Sequence, residues 1–541
     1  MDCVSIAYTR VPNSSQLLLD YLYRFEQVSA FYTGSPFNPA SYRHLANELQ
    51  ASYRDRSELV AILRQQNKAF GSSELALTNI QRLSQPETFA VVTGQQVGLL
   101  SGPAFTLYKA LTAVRLAQAL SEQGLPSVPV FWLATEDHDL EEVAQAATFD
   151  EEYALISLGD PGERPAPRSS VGAVKLTTGI NPTLDRLEAT LPPGEPRDIL
   201  LRDLRACYQP GATWAQAFGR FMARLFGRWG VVLLDPLDDA VRRLSATAYR
   251  QALAQAANLR GQLISRSQEL VRAGYHAQAH VAEDSTLVFV TREGNRLPLR
   301  QRDEEFFLDD SERISLGELT AQPGSSHLSL SSNVLLRPVV QDLLLPTLAY
   351  VAGPSELAYL AQAHALYPAF GRPMPVVFPR AGFTLVDRRI QRLLEKYRLN
   401  VEDVWQGEEN VRHKIAAAGF AGGWSERLDQ SEQEFLQLLG RLRQHLETLD
   451  PTLLDTLKNV EEKMKYQMER LRGKVSRAAL ERSELLARHQ QFLLRFLLPA
   501  RSLQERQVSG VYFLGRAGYE LLDRILSRIQ TDSSEHQALV Y

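Results

Sequence analysis

Apolar residues recur along this chain at three spacings, and each spacing predicts a different kind of element. In residues 1–85 the spacing is helical: Tyr21, Leu22, Phe25 and Val28 form one set, and Leu59, Ile62, Leu63 and Phe70 another. Residues 33–39, rich in Gly and Pro, read as a loop between them. From residue 86 the pattern changes to short apolar runs. Residues 89–92 and 128–134 read as buried strands, the second apolar throughout, as suits a strand covered on both faces. Between them Leu107, Leu111, Val114 and Leu120 mark the inner side of a helix over about 104–120. Two strands joined by a helix make a βαβ unit. Runs at 231–235, 335–342, 348–352 and 375–380 predict further strands, with helices over about 238–273 and 354–367. Residues 286–299 carry a strand pattern around a turn at 293–295. This alternation predicts an α/β core with a largely parallel sheet.

The third spacing begins after residue 385. Leu428, Phe435, Leu442 and Leu449 fall seven apart, and after a turn at Asp450-Pro451 so do Leu457, Met464, Leu471 and Ala478. That is the pattern of an antiparallel helical hairpin in coiled-coil packing. It serves equally as an arm within one chain or as a seam between two copies. The expected organisation is a helical segment 1–85 packed on the core, an α/β core 86–384, a helical coiled-coil domain 385–498, and a segment 499–541 returning to the core. Insertions are expected near 151–229, where Pro161, Gly162, Pro165 and Pro167 suggest exposure, and near 285–330.

Composition narrows function more than fold. A chain of 541 residues exceeds one hydrophobic core and predicts two or three domains. A net charge of −4 offers no reason to expect nucleic acid or an acidic membrane as partner. The two cysteines, Cys3 and Cys207, are far apart and in no metal or redox spacing. No secretory leader or membrane-length apolar run is seen, so the expected location is cytoplasmic.

Both strands of the βαβ unit end in polar crests, and ligands of open parallel sheets bind at such carboxyl ends. The first crest is Thr93-Gly94-Gln95-Gln96-Val97-Gly98, followed by Gly102 and Pro103, with Lys109 about two turns into the helix. Its spacing fits neither a Walker motif nor the dinucleotide fingerprint. The glycines permit close backbone approach ahead of a helix amino terminus that could receive a carboxylate or phosphate. A turn needing glycine for shape alone explains them equally well, and two turns into the helix Lys109 either faces the site or points away from it. The second crest is Glu136, Asp137, His138 and Asp139, four polar groups that need partners or solvent. Extended geometry would put Glu136 and His138 on one face and Asp137 on the other. Asp139 with Glu142 resembles a capping box. Asp137 and His138 are then the leading candidates for base, amine ligand or metal ligand, with a structural histidine as the alternative. A third crest holds Arg337, Gln341 and Asp342, and a fourth Gly353, Ser355 and Glu356. Ser355 as helix cap and Glu356 in the first turn would explain the fourth without function. Arg337 and Arg380 are candidate anion clamps, with surface ion pairs as the alternative.

These segments, together with residues 131–139, 345–359 and Leu503-Gln504-Glu505-Arg506, resemble the cysteine ligase family of bacillithiol biosynthesis over essentially the whole chain. The resemblance implies a Rossmann-like, nucleotidyltransferase-type core with connecting insertions and a coiled-coil domain that pairs subunits into a homodimer. It also implies addition of cysteine to glucosaminyl malate, with ATP as the expected source of carboxylate activation and the metal requirement unknown. Thr93, Gly94, Gln95, Gln96, Gly98, Gly102, Lys109, Arg337, Gln341, Asp342, Gly353, Ser355, Glu356 and Arg380 are the expected binding residues, and Glu136, Asp137 and His138 the expected catalytic ones. Two other readings stay open: a metal-assisted hydrolase of a small amide or sugar centred on Glu136, Asp137 and His138, and a non-catalytic coiled-coil scaffold.

Overall fold

The computed structural model describes residues 3–160, 162–309, 312–320, 328–419 and 424–541; Pro161 of the expected exposed insertion and parts of the 285–330 insertion lie outside them. Strand alternation decides how the core is layered. In β1 (Phe89–Gln96), Phe89 and Val91 enter one apolar cluster while Ala90 and Val92 enter the other, so the sheet is covered on both faces. Helix α1 (Phe105–Glu122) leads to β2 (Ser127–Ala134), and β3 (Val232–Leu234), β4 (Thr347–Ala352) and β5 (Val376–Pro379) complete a five-stranded sheet. Every pairing is parallel, and the spatial order is β3-β2-β1-β4-β5. This is the doubly wound, Rossmann-type order, whose direction of winding reverses between β1 and β4.

The stretch expected to return to the sheet at 335–342 is instead helix α2 (Arg337–Leu344). Pro338 lies in its first turn, where a missing N–H costs nothing and the fixed φ favours the helix. The helix expected over 238–273 is two helices, Asp239–Ala254 and Ala256–Arg272, meeting at Gln255. Residues Ser285–Arg292 and Asn295–Arg302 form the expected hairpin, which widens into a five-stranded antiparallel sheet. In helix α3 (Pro354–Ala363) the cap position is Gly353, not Ser355, and the Glu356 carboxylate accepts the Gly353 N–H at 2.7 Å.

The amino-terminal region is not wholly helical. Strand Cys3–Ile6 pairs antiparallel with His536–Val540, which pairs parallel with Gly382–Val386. Helices α4 (Trp424–Leu449) and α5 (Leu453–Glu481) form the antiparallel hairpin, turning at Asp450-Pro451. Among the described residues no helix is long and apolar enough to cross a membrane.

Candidate functional site

The carboxyl ends of β1, β2 and β4 surround a cavity of about 670 Å³ at the winding reversal. Gly94, Gln95 and Gln96 line it from β1, Glu136 and Asp137 from the turn after β2, and Gly353, Ser355 and Glu356 from the turn after β4. Arg337 enters from α2 and Arg380 from the end of β5. Gly94 is required for the layering. A Cβ there would sit 3.0 Å from the Trp132 carbonyl oxygen and 3.1 Å from its Cβ on the paired strand.

Lys109 faces the cavity rather than pointing away from it. Its fully buried Nζ donates to the Gly94 carbonyl and to Gln95 Oε1 at 3.2 Å, and pairs with Glu356 Oε2 at 2.5 Å. Lys109 is four residues after Phe105, which also lines the cavity, so both share one helix face. Burial pulls the ammonium below its usual range while Glu356 opposes the shift. Burial would raise the Glu356 carboxyl, but Lys109 and the Gly353 N–H hold it below its ordinary value. The pair stitches the two crests at the reversal and consumes the lysine's charge.

Several expected binding residues lie outside the cavity. Thr93 is buried, its hydroxyl donating to the Val351 carbonyl at 3.0 Å between β1 and β4. Gly98 and Gly102 pack on each other; a Cβ on Gly98 would come within 2.8 Å of Gly102 Cα. The start of α1 behind these glycines is met by the carboxy-terminal segment, with Ala104 N–H donating to the Val508 carbonyl at 2.8 Å. Gln341 donates to Asp342 at 3.1 Å, and Asp342 accepts the Tyr367 hydroxyl at 2.5 Å. This buried set supports α2 from below and does not reach a ligand.

The second crest divides its roles differently from the extended-strand expectation, because β2 ends at Ala134 and residues 135–139 turn. Asp137 Oδ1 accepts the His138 N–H at 2.7 Å and Oδ2 accepts Gln96 Nε2 at 2.7 Å. Asp139 caps a short helix, Leu140–Val143, through the Glu142 N–H, while the Glu142 carboxylate accepts from Gln96 rather than reaching back. His138 lies beside the cavity, its Nδ1 3.1 Å from Arg296 Nη1. Burial and Arg296 push the imidazole below its usual range. Among the described residues no three carboxylate, histidine or cysteine side chains are placed to hold a metal ion. Glu136, Asp137 and His138 thus do not converge as a metal-centred hydrolase requires.

Glu136 is the unusual carboxyl. It is buried against the cavity, and burial lifts it to about 7 although Arg296 pulls the other way. A carboxyl near 7 can give or take a proton at physiological pH. Arg296 comes from the antiparallel insertion and gave no local signal. It stacks on Phe289 with 3.8 Å to the ring centroid and donates to Ser331 Oγ at 3.1 Å and the Ser332 carbonyl at 2.8 Å.

The basic residues around the cavity fall into two groups. Lys109 is paired with Glu356, and Arg380 with Glu505 at 2.5 Å, both members of the latter pair being buried. Arg380 is therefore not the expected free clamp. Arg337 donates only to neutral groups, Tyr359 Oη at 2.7 Å, Gln341 Oε1 at 3.1 Å and Tyr350 Oη at 3.3 Å. Neither Arg337 nor Arg296 makes an ion pair among the described residues. A guanidinium that faces a cavity and makes no ion pair of its own is open to an incoming anion.

Comparison with known proteins supplies the family. Residues 1–381 match "Bacillithiol biosynthesis BshC, N-terminal Rossmann-like domain", and residues 383–541 match "Bacillithiol biosynthesis BshC, C-terminal coiled-coil domain". A protein of Solibacter usitatus named "Putative cysteine ligase BshC" is 36% identical over 540 residues, covering 100% of both chains. Proteins of the same name from Koribacter versatilis and Salinibacter ruber are 36% and 33% identical, covering 99% of both chains and 97% and 96% of the two chains respectively. Both domains and the full length are matched, and the chain belongs to the BshC family of bacillithiol biosynthesis.

Proposed function

We propose that this protein joins the carboxyl group of cysteine to the amine of glucosaminyl malate, forming an amide, with the cavity at the winding reversal as its active site. The observation that carries the reading is the placement of Glu136, a buried carboxyl near neutrality, in one cavity with the anion-receptive Arg337. An amine must lose a proton as it attacks a carbonyl carbon, and Glu136 in its ionised form takes that proton. Arg337 and Arg296 hold substrate anions and offset negative charge that builds on the reacting oxygens. Enclosure of both reactants supplies much of the remaining rate by removing their freedom to misalign.

Joining a carboxylate to an amine in water needs a leaving group, which ATP would supply. The cavity's volume, about 670 Å³, falls within the roughly 300–1,000 Å³ of small-ligand pockets. Its guanidiniums without ion pairs suit phosphates, and Arg337 with the Gly353-Pro-Ser turn would hold them.

Two copies of the chain are proposed to pair through the α4–α5 hairpin. Leu442, Leu449, Val460, Tyr466 and Leu471 are all exposed on it, far more apolar surface than an isolated arm needs to show. The test of the catalytic reading is turnover of cysteine, ATP and glucosaminyl malate followed by mass spectrometry. Wild type should form the amide and Glu136→Gln should lose at least a hundredfold in rate. Equal rates would remove Glu136 as base, and no amide with wild type would remove the ligase reading.

A further inference from the structure

Arg380 was expected to grip an anion, and its burial against Glu505 raises the question of what that pair is for. Glu505 accepts Arg380 Nη1 at 3.0 Å and Nη2 at 2.5 Å, and also the Phe383 N–H at 3.0 Å. The neighbouring Gln504 is fully buried. Its Oε1 accepts the Leu385 N–H at 2.8 Å, and its Nε2 donates to the carbonyls of Leu385 and Phe496 at 3.0 Å each. Two consecutive side chains of a four-residue helix, Gln504–Gln507, are thus locked to strand Gly382–Val386 with every polar atom engaged. A buried charge pair contributes little net stability over an apolar replacement, but it fixes geometry tightly.

The third residue of this helix does the opposite. Arg506 is exposed, lines the cavity, and its guanidinium has no hydrogen-bond or ion-pair partner among the described residues. A guanidinium at a cavity's edge with no partner of its own is available to an incoming anion.

We propose that Arg506 is a specificity residue contributed to the active site by the carboxy-terminal segment, gripping an oxyanion of the substrate or nucleotide, with Gln504 and the Glu505–Arg380 pair as its mount. This rests on the cavity being the active site. It makes the site composite: the Rossmann-like domain supplies Glu136 and Arg337, and the segment after the coiled coil supplies a third guanidinium. A bidentate grip suits a carboxylate of the malate group and a phosphate oxygen equally, so the ligand arms of the test must separate them.

The test is calorimetric titration of full-length wild type, Arg506→Ala and Arg506→Lys with L-malate and, separately, with ATP. Arg506→Ala should weaken one of the two ligands at least tenfold and the other less than twofold, and Arg506→Lys should recover part of the loss. The affected ligand identifies the oxyanion. Because Arg506 makes no internal bond, its melting temperature should equal that of wild type, whereas Glu505→Gln should lower both melting temperature and affinity for the same ligand. Retention of both affinities within twofold in Arg506→Ala overturns the proposal, as does failure of wild type to bind either ligand. If wild type binds through Arg506 yet forms no amide from glucosaminyl malate, the ligase reading falls and the oxyanion site stands.

Discussion

Replacing Glu136 by Gln should stabilise the protein at high pH while disabling it. The carboxyl's ordinary value is 4.5, and burial lifts it to about 7. At about 1.36 kcal/mol per pKa unit, ionising it in the folded state costs roughly 3 kcal/mol more than in the unfolded chain. The folded state therefore holds an extra proton between those two values. This contribution to stability is complete below 4.5 and is lost as pH rises through about 7. Gln keeps the shape and cannot ionise. Residues 1–381 form the matched Rossmann-like domain. With about 2.1 cal/mol/K of unfolding entropy per residue, roughly 3 kcal/mol moves its melting temperature by about 4 °C. Because some of the contribution is already lost at pH 5, calorimetric melts at pH 5 and pH 8 should show the offset between Glu136→Gln and wild type growing by about 3 °C toward pH 8. Any fixed effect of lost hydrogen bonding cancels in the difference. Wild-type kcat/KM should rise with pH through an apparent pKa near 7, since the base works ionised. An offset identical at both pH values would refute the assignment of a protonated, buried Glu136.

Three further outcomes follow from the packing. Glu505→Ala leaves Arg380 buried without its partner and should cost about 3–5 kcal/mol, read by chemical denaturation. Burial opposes the ionised form of Glu505, but Arg380 holds it below its ordinary value; the pair's contribution should therefore be intact above pH 4.5 and fade below it. Gly94→Ala forces a methyl against the Trp132 backbone and should lower stability by about 1–3 kcal/mol, with a drop in activity from the displaced Gly94 carbonyl that Lys109 engages. Leu442→Glu with Leu471→Glu should convert the proposed dimer to monomer in sedimentation velocity without altering helix content; a persisting dimer would place the seam elsewhere.

What could be read from the residues was whatever a local period encodes. The apolar runs ending at Gln96 and Ala134 located two strands of the parallel sheet, and the seven-residue spacing located both helices of the hairpin. Residues 335–342 failed because eight mixed residues fit either period, and only Pro338 in the first turn told against a strand. The direction of Lys109 was open because distance from the turn does not decide it, whereas the helix face it shares with Phe105 does. Arg296 was out of reach: it is one of several arginines in a hairpin, and its meeting with His138 spans 158 positions of chain. Not every crest side chain faces the cavity: Thr93 ties β1 to β4, Asp342 ties α2 to Tyr367, and Gln341 bonds within α2.

The strand Cys3–Ile6 has its antiparallel neighbour at His536–Val540, with Cys3 opposite Leu539. During translation the early strand therefore waits, unpaired, until residues 536–540 have been made. Contacts of such separation form slowly and late. The helix carrying Gln504 and Arg506 is also made late, so a nascent chain arrested before it lacks part of the cavity's lining. Competence is thereby coupled to a segment made long after the sheet.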